Sequence, residues 1–262
     1  MSANPPMFSL EGRVALVNGG GGAIGAAIGE AFAAAGATVA VSGRSAAPLD
    51  AAVERIEAAG STGLALTADV TKEADAEAMV RQVVDRLGRI DVVVNAVGGG
   101  AGKALHDAQE YPRDAWDWIM ELNVRSTIVP TQPAVRAMID AGTKGVVLNI
   151  TSVRAVLGIN AGYSAYVAAK GAIASLTRQW ATEWARHGIR VNAIMPTFVD
   201  TPQVASLLAD PAFKQGIVGR IPLARVGETR DIVGPAIFLC SDAASFVTGQ
   251  VLAIDGGLTA TQ

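Results

Sequence analysis

The stretch VNGGGGAIGAAIGEAF at residues 17–32 joins a short apolar run to an alanine-rich run. The first run, RVALVN at 13–18, predicts a buried strand, and AIGAAIGEAFAAAG at 23–36 predicts a helix that ends at Gly36. Gly20, Gly22 and Gly25 fit the pattern G-x-G-x-x-G, in which bare backbone approaches a pyrophosphate at the start of a helix. The stretch therefore predicts the first unit of a dinucleotide-binding sheet, with a flexible glycine-rich turn as the alternative.

Strand and helix patterns alternate along the rest of the chain. Further strands are predicted at 38–43, 63–70, 90–98, 145–152, 189–195 and 250–255, and helices at 49–60, 73–88, about 114–140, 164–187 and 230–240. This order predicts an α/β fold, a Rossmann-like doubly wound parallel sheet of about seven strands with helices on both faces. We expect one domain over residues 1–262. Residues 196–228 hold four prolines and predict an irregular substrate lid.

Composition excludes several classes of protein. The net charge is −3 and no Lys/Arg run occurs, so we expect no nucleic-acid partner. No apolar run reaches the length of a membrane span, and the N-terminus lacks the pattern of a signal peptide. Cys240 is the single cysteine, and His106 and His187 lie far apart. We therefore expect a cytoplasmic protein without a disulfide or a metal site.

The end of the second predicted strand bears on the type of cofactor. Its sequence is Ser42-Gly43-Arg44-Ser45, and no carboxylate stands where one would bind the ribose 2′-hydroxyl of NAD. A guanidinium flanked by hydroxyls suits a 2′-phosphate. The sequence favours NADP(H), with NAD(H) possible if Arg44 is an ordinary solvated charge.

Tyr166 and Lys170 stand four residues apart at the head of a predicted helix. That spacing places both side chains on one helix face. A nearby ammonium favours the phenolate and so lowers the pKa of a tyrosine, which suits acid–base catalysis. Ser152, at the end of a predicted strand, could contact the same carbonyl oxygen. Tyr163 is a rival tyrosine, but position 167 is valine, so it lacks a lysine partner.

These pieces occur together with others in a specific order. They include NGGGGAIG at 18–25, ADV at 68–70, NAVG at 95–98, ELNV at 121–124, NITS at 149–152, YVAAK at 166–170, GIRVNAIMP at 188–196 and VTGQVLAIDGG at 247–257. The chain thereby resembles the short-chain dehydrogenase/reductase family over nearly its full length. Within that family its general sequence pattern is most similar to that of the gluconate 5-dehydrogenases and related sugar, polyol and sugar-acid oxidoreductases. No specific substrate-binding motif carries this similarity.

The resemblance implies hydride transfer between a nicotinamide and a secondary alcohol or ketone. It assigns Tyr166 as proton donor and acceptor, Lys170 as the ribose ligand that lowers the pKa of Tyr166, and Ser152 as the group that polarises the carbonyl. Asn123 would hold a water that links Lys170 to solvent. Each residue also has a purely structural interpretation, such as a cap for Asn123 or a turn for Asp69. Family members are usually tetramers that pack through two long helices, here about 114–140 and 164–187.

The resemblance also implies a set of cofactor contacts. These are Gly19, Gly21, Gly22, Ile24, Arg44, Ser45, Asp69, Val70, Asn95, Ala96, Val97, Gly98, Tyr166, Lys170, Pro196, Thr197, Val199 and Thr201. Asp69 and Val70 would meet the adenine, and Asn95 would support the sheet beside the cofactor. The sequence departs from the family pattern at Asn18, Ala23, the segment 95–98, Thr197, and the fourteen-residue step from Ser152 to Tyr166.

The substrate is less constrained by the sequence. Arg154 and Lys103 are candidates to meet a substrate carboxylate, with solvation of both as an equal alternative, and Tyr163 is expected near the substrate. A 3-oxoacyl thioester or hydrophobic ketone is the rival substrate class. It rests on apolar residues of the lid region, namely Phe198, Leu207, Leu208, Phe213 and Ile217. A non-catalytic nucleotide-binding protein is the alternative of another kind.

Overall fold

A computed structural model describes residues 6–261, so residues 1–5 and 262 of the predicted domain lie outside the described part. The strands are β1 Val14–Asn18, β2 Thr38–Gly43, β3 Gly63–Thr67, β4 Val92–Asn95, β5 Val146–Ile150, β6 Arg190–Pro196 and β7 Val251–Ile254. The helices are α1 Ala23–Ala34, α2 Ala46–Ala58, α3 Glu73–Leu87, α4 Arg113–Met120, α5 Ser126–Asp140, α6 Ser164–Trp184, α7 Ala205–Leu208, α8 Pro211–Val218 and α9 Thr229–Cys240.

The seven strands form one parallel sheet in the order β3-β2-β1-β4-β5-β6-β7. Helices cover both faces, because β1, β4 and β5 are buried along their whole length and need apolar cover on each side. The chain order reverses between β1 and β4, which opens a crevice at the carboxyl ends of the strands. The structure confirms the predicted doubly wound α/β fold.

A ladder of buried amides and hydroxyls crosses the carboxyl ends of four strands. Ser42 Oγ donates to Asn18 Oδ1 at 2.9 Å, and Asn18 Nδ2 donates to Asn95 Oδ1 at 2.9 Å. Asn95 Nδ2 in turn donates to Asn149 Oδ1 at 2.9 Å and to Thr131 Oγ1 at 2.7 Å. All five side chains are buried, and these bonds satisfy polar groups that would otherwise be costly in the core. Asn18, a departure from the family pattern, is therefore a member of this ladder, as is Asn95.

The predicted helix at 114–140 is interrupted. A π-helical turn, Glu121–Arg125, separates α4 from α5. At this turn Asn123 Nδ2 donates to the carbonyl of Ile119 at 2.9 Å, and Thr127 Oγ1 donates to the carbonyl of Asn123 at 2.9 Å. These side chains compete for backbone acceptors of the helix, which accounts for the widened turn.

The region 196–228 is not irregular throughout, contrary to the expectation for a lid, because it contains α7 and α8. Asp210 Oδ1 accepts from the N–H groups of Ala212 and Phe213, and Pro211 occupies the first turn of α8. These are strong helix-start signals. Helix α2 also begins earlier than predicted, at Ala46, since Pro48 is tolerated within a first turn. No helix within residues 6–261 is long and apolar enough to cross a membrane.

Candidate active site

A cleft of about 310 Å³ lies at the carboxyl ends of β1 to β4, at the reversal of strand order. Ten of the predicted cofactor residues line it: Gly19, Gly21, Gly22, Arg44, Ser45, Asp69, Val70, Ala96, Val97 and Gly98. It is also lined by residues that the sequence analysis missed, namely Gly43, Pro48, Leu49, Ala68, Thr71 and Leu122. Most of these residues stand next to predicted residues in the sequence. Their position at the ends of the strands could therefore have identified them.

The glycine loop leaves no room for side chains at several positions, among them Gly19 and Gly25. Gly19 adopts φ +81°, and a Cβ there would lie 2.8 Å from the carbonyl carbon of Ala96. A Cβ on Gly25 would collide with the carbonyl oxygen of Gly19. Gly22 is the N-cap of α1 and supplies no side-chain cap, so the first-turn N–H groups are left for another acceptor. The loop therefore presents backbone donors to the cleft, which suits a pyrophosphate.

Arg44 and Ser45 are exposed at the rim of the cleft. Within the described residues no hydrogen bond or ion pair holds the Arg44 guanidinium, so its donors are available to a ligand. Asp69 lies opposite. Burial acts to raise the pKa of Asp69, but hydrogen bonds from Thr71 and the charges of Lys72 and Arg44 lower it overall. The Asp69 carboxylate is therefore ionised at neutral pH and held by Thr71 in the wall of the cleft, and its contact with adenine stays a prediction.

Ser152, Tyr166 and Lys170 come together beyond the end of β5. The side chain of Ser152 is hydrogen-bonded to Tyr166, and Lys170 Nζ lies 5.6 Å from the centroid of the Tyr166 ring. Lys170 is 3 % exposed and its Nζ donates to the carbonyl of Ile150 at 3.2 Å. This cluster of a hydroxyl, a phenol and an amine has the composition of a proton-transfer site.

The pKa of Tyr166 differs from the sequence-based expectation. Burial raises it to about 12, while the hydrogen bond from Ser152 and the charge of Arg154 oppose the rise. The expected fall is not seen in the protein alone, where burial dominates, and a lowering of this pKa by Lys170 stays a prediction. Burial also acts on Lys170 and lowers its pKa to about 8, because desolvation disfavours the charged form of each group.

Asn123 is fully buried in the π-helical turn and holds the loop that follows β4. Its Oδ1 accepts from the N–H of Gly99 at 3.0 Å, and its Nδ2 donates to the carbonyl of Gly99 at 3.1 Å. A Cβ on Gly98 would lie 2.8 Å from Asn123 Oδ1 and 3.1 Å from Lys170 Nζ. Asn123 and Lys170 therefore meet at Gly98. The role of Asn123 in holding a water stays a prediction.

Thr197 provides a test of whether the site fits a nicotinamide. Its Oγ1 is buried and has no hydrogen-bond partner in the described part of the chain, which is unusual for a hydroxyl. Thr197 and Val199 line a second cavity, of about 540 Å³, near the end of β6. A carboxamide carries the donors and acceptors that this hydroxyl lacks. The residues present therefore fit a nicotinamide dinucleotide, whose pyrophosphate suits the smaller cleft because the glycine loop lines it.

The remaining predicted cofactor residues lie away from the walls of the smaller cleft. Ile24, in the first turn of α1, packs against the apolar core, and Asn95 belongs to the buried ladder. Pro196 ends β6, and Thr201 follows the bridge between Val199 and Gly227.

The three substrate candidates differ in their surroundings. Arg154 is 6 % exposed, so the solvated alternative is wrong for this residue. The ring of Tyr163 meets that of Tyr166 edge-on at 6.3 Å, which places Tyr163 beside the proton-transfer cluster. Lys103 is exposed in the short 3₁₀ helix Ala101–Lys103. Among residues 6–261, no group of three or more His, Cys, Asp or Glu side chains could hold a metal ion.

Comparisons with known proteins agree with this geometry. A family model described as "Enoyl-(Acyl carrier protein) reductase" matches residues 21–259. The chain is 37% identical to gluconate 5-dehydrogenase of Gluconobacter oxydans over 98% of both chains. It is 37% identical to galactitol 2-dehydrogenase (L-tagatose-forming) of Cereibacter sphaeroides over 97% of both. A gluconate 5-dehydrogenase from Burkholderia cenocepacia, solved in complex with NADP and tartrate, superposes with a TM-score of 0.89 at 33% identity, covering 97% of this chain and 98% of that one.

Proposed function

The chain belongs to the short-chain dehydrogenase/reductase family, and from this premise we propose that it is an NADP(H)-dependent oxidoreductase of sugar acids or polyols. It interconverts a secondary alcohol and the corresponding ketone. The observation that carries the proposal is the cluster of Ser152, Tyr166 and Lys170 beside a cleft built to hold a dinucleotide.

When bound, the nicotinamide cofactor supplies the hydride for reduction and accepts it in oxidation. In reduction, the carbonyl carbon gains the hydride, the carbonyl π pair moves to oxygen, and Tyr166 donates its proton to that oxygen. Ser152, hydrogen-bonded to Tyr166, holds the oxygen in place as negative charge develops. A pKa of about 12 keeps Tyr166 protonated at neutral pH, as a proton donor must be.

Lys170 supports the phenol in both directions. With a pKa of about 8 its amine is mostly protonated at pH 7, so an ammonium stands beside the Tyr166 ring when the proton leaves. That charge stabilises the transient phenolate. The same ammonium suits the hydroxyls of the nicotinamide ribose as a hydrogen-bond donor. Oxidation of an alcohol needs Tyr166 as a phenolate, so its rate rises towards alkaline pH.

Support for the substrate class comes from the named relatives. Their names specify gluconate and galactitol, which are a polyhydroxylated acid and a polyol. For this chain we propose a substrate of the same chemical class. Reduction of the ketone in a 3-oxoacyl thioester, or of a hydrophobic ketone, is the rival. The description of the matching family model also names an acyl chain on a carrier protein, but its enoyl group is an alkene and not a ketone.

A substrate screen on the purified protein tests the proposal. D-gluconate, other hexonates, galactitol and an acetoacetyl thioester are each supplied with the matching oxidised or reduced cofactor, and NADP(H) is compared with NAD(H) by the absorbance of the reduced nicotinamide. We expect turnover of an acid or polyol with NADP⁺. Turnover of the thioester alone would contradict the substrate class, and no turnover despite NADPH binding would favour a non-catalytic nucleotide-binding protein.

Assembly and location form a further part of the proposal: a cytoplasmic homotetramer. The edge strand β7 is only partly buried, Leu252 on it is 37 % exposed, and Trp118 on α4 is 41 % exposed. Apolar side chains at a sheet edge and on a helix suit contact with further copies of the chain. Cys240 as a free, buried thiol fits a reducing compartment. Light scattering of the purified protein tests the tetramer, and a monomer at micromolar concentration would contradict it.

A further inference from the structure

Arg154 is a buried cation beside the proton-transfer cluster. It follows β5 in the short 3₁₀ helix Val153–Ala155 and is 6 % exposed. Its Nη1 donates to the carbonyls of Leu157 at 3.4 Å and Gly158 at 2.8 Å. Within residues 6–261 no carboxylate pairs with it, and neither Nε nor Nη2 has a hydrogen-bond partner. Arginines this deeply buried are ordinarily paired with an anion, so the guanidinium lacks its usual counterpart.

The surroundings of Arg154 add positive charge. Arg220, on the lid after α8, is close enough that its charge, together with burial, lowers the pKa of Arg154. The neighbouring phenols of Tyr163 and Tyr166 act in the opposite direction but are neutral when protonated. A guanidinium with two unused donors on one edge matches the two oxygens of a carboxylate. An anionic group arriving here would neutralise the buried charge.

The position of Arg154 links this charge to the reacting centre. Its backbone N–H donates to Ser152 Oγ at 3.2 Å, and Ser152 is hydrogen-bonded to Tyr166. The charge of the Arg154 guanidinium also acts on the phenols of Tyr163 and Tyr166. A molecule whose reacting oxygen meets Ser152 and Tyr166 therefore lies near this charge. Lys103, the other cation considered, is exposed and has no such connection to the cluster.

We infer that Arg154 binds the carboxylate of the substrate and selects sugar acids over neutral polyols. The inference rests on the proposed function, since it assigns a specificity residue to the same site. The substrate is then a polyhydroxy acid that places its carboxylate on Arg154 and its reacting alcohol or ketone oxygen on Ser152 and Tyr166.

A binding experiment tests the inference without relying on turnover. The protein is saturated with NADPH and titrated calorimetrically with D-gluconate, an alcohol that cannot be oxidised by the reduced cofactor, and then with D-glucitol, its neutral counterpart. Wild type, Arg154→Met, Arg154→Lys and the matched control Lys103→Met are compared. NADPH affinity, measured by fluorescence, verifies that each variant is folded.

We expect Arg154→Met to weaken D-gluconate binding roughly 100-fold, the loss typical of truncating one partner of a buried charge pair. Arg154→Lys retains the charge but not the two parallel hydrogen bonds of a guanidinium, so we expect an intermediate loss of D-gluconate affinity. This variant tests the inference if Arg154→Met does not fold. Lys103→Met leaves the affinity near wild type, and D-glucitol binds weakly to all four. Equal affinity of wild type and the Arg154 variants for D-gluconate overturns the inference, as does equal binding of D-glucitol and D-gluconate to wild type. Failure of the proposed function is separate, because it appears as absent turnover with NADP⁺.

Discussion

At the residue scale, burial dominates the chemistry of the site. Lys170 is 3 % exposed and its one hydrogen bond is to the carbonyl of Ile150. Its pKa falls from 10.5 to about 8, whereas that of Tyr166 rises to about 12. Desolvation therefore moves the pKa of Lys170 towards neutral pH and that of Tyr166 away from it. The bound cofactor adds hydroxyls and charge that the protein alone lacks.

The low pKa of Lys170 predicts that its buried ammonium lowers the free energy of unfolding at neutral pH. Since the unfolded chain binds the proton more tightly, the folded protein is destabilised below about pH 8, and stability is recovered as pH rises from about 8 to 10.5. A tenfold change in proton affinity is worth about 1.4 kcal/mol, so the fall from 10.5 to about 8 predicts that Lys170→Met raises the free energy of unfolding at pH 7 by about 3 kcal/mol. Denaturant unfolding without cofactor measures this.

Replacement of an exposed lysine is the control for Lys170→Met in the same unfolding experiment. Lys214→Met removes an exposed lysine from α8 and should change stability little. The gain for Lys170→Met should shrink when the measurement is repeated near pH 10. A Lys170→Met protein less stable than wild type at pH 7 would show that burial of the ammonium is not the dominant effect.

At the element scale, the end of β2 decides the choice of cofactor. Arg44 stands one residue past that strand, exposed and without a protein partner in the described part of the chain. Arg44→Ala removes the guanidinium that suits the 2′-phosphate. We expect NADPH affinity to fall roughly 10- to 100-fold while NADH affinity changes little, because a charged hydrogen bond to phosphate is worth about 1.5–3 kcal/mol. Fluorescence titration with each cofactor measures both.

Arg55→Ala is the matched control for Arg44, since Arg55 is an arginine on α2 whose ion pair, to Glu30 at 3.5 Å, lies outside the cleft. Its cofactor affinities should stay near wild type. Equal losses of NADPH and NADH affinity in Arg44→Ala would mean that Arg44 acts on the shape of the cleft and not on the phosphate.

The elements differ in how well the sequence predicts them. Strands such as β1 and β5 follow from apolar runs because a parallel strand is buried on both faces. The π-helical turn at Glu121–Arg125 does not follow, because apolar spacing does not reveal that side chains such as Asn123 bond to carbonyls of their own helix. The burial of Arg154 was equally hidden, since charge alone does not tell a solvated arginine from one enclosed by neighbouring loops.

At the scale of the whole molecule, the parallel topology assembles the site. Residues between Gly19 and Leu122 converge because the carboxyl ends of parallel strands meet at one edge of the sheet. Motif order therefore predicted the cofactor cleft and the proton-transfer cluster. It left Arg154 and Lys103 open as the cation that meets a substrate carboxylate, because the burial of Arg154 depends on the loop after β5.

The central claim is that Tyr166 transfers the proton, and the turnover of Tyr166→Phe tests it most directly. The variant is assayed on the substrate that the screen identifies, with Tyr163→Phe as the control that removes the neighbouring hydroxyl. We predict a fall in kcat of about a thousandfold for Tyr166→Phe, with NADPH affinity near wild type, because only the proton donor is lost. Turnover of Tyr166→Phe equal to that of wild type would contradict the account.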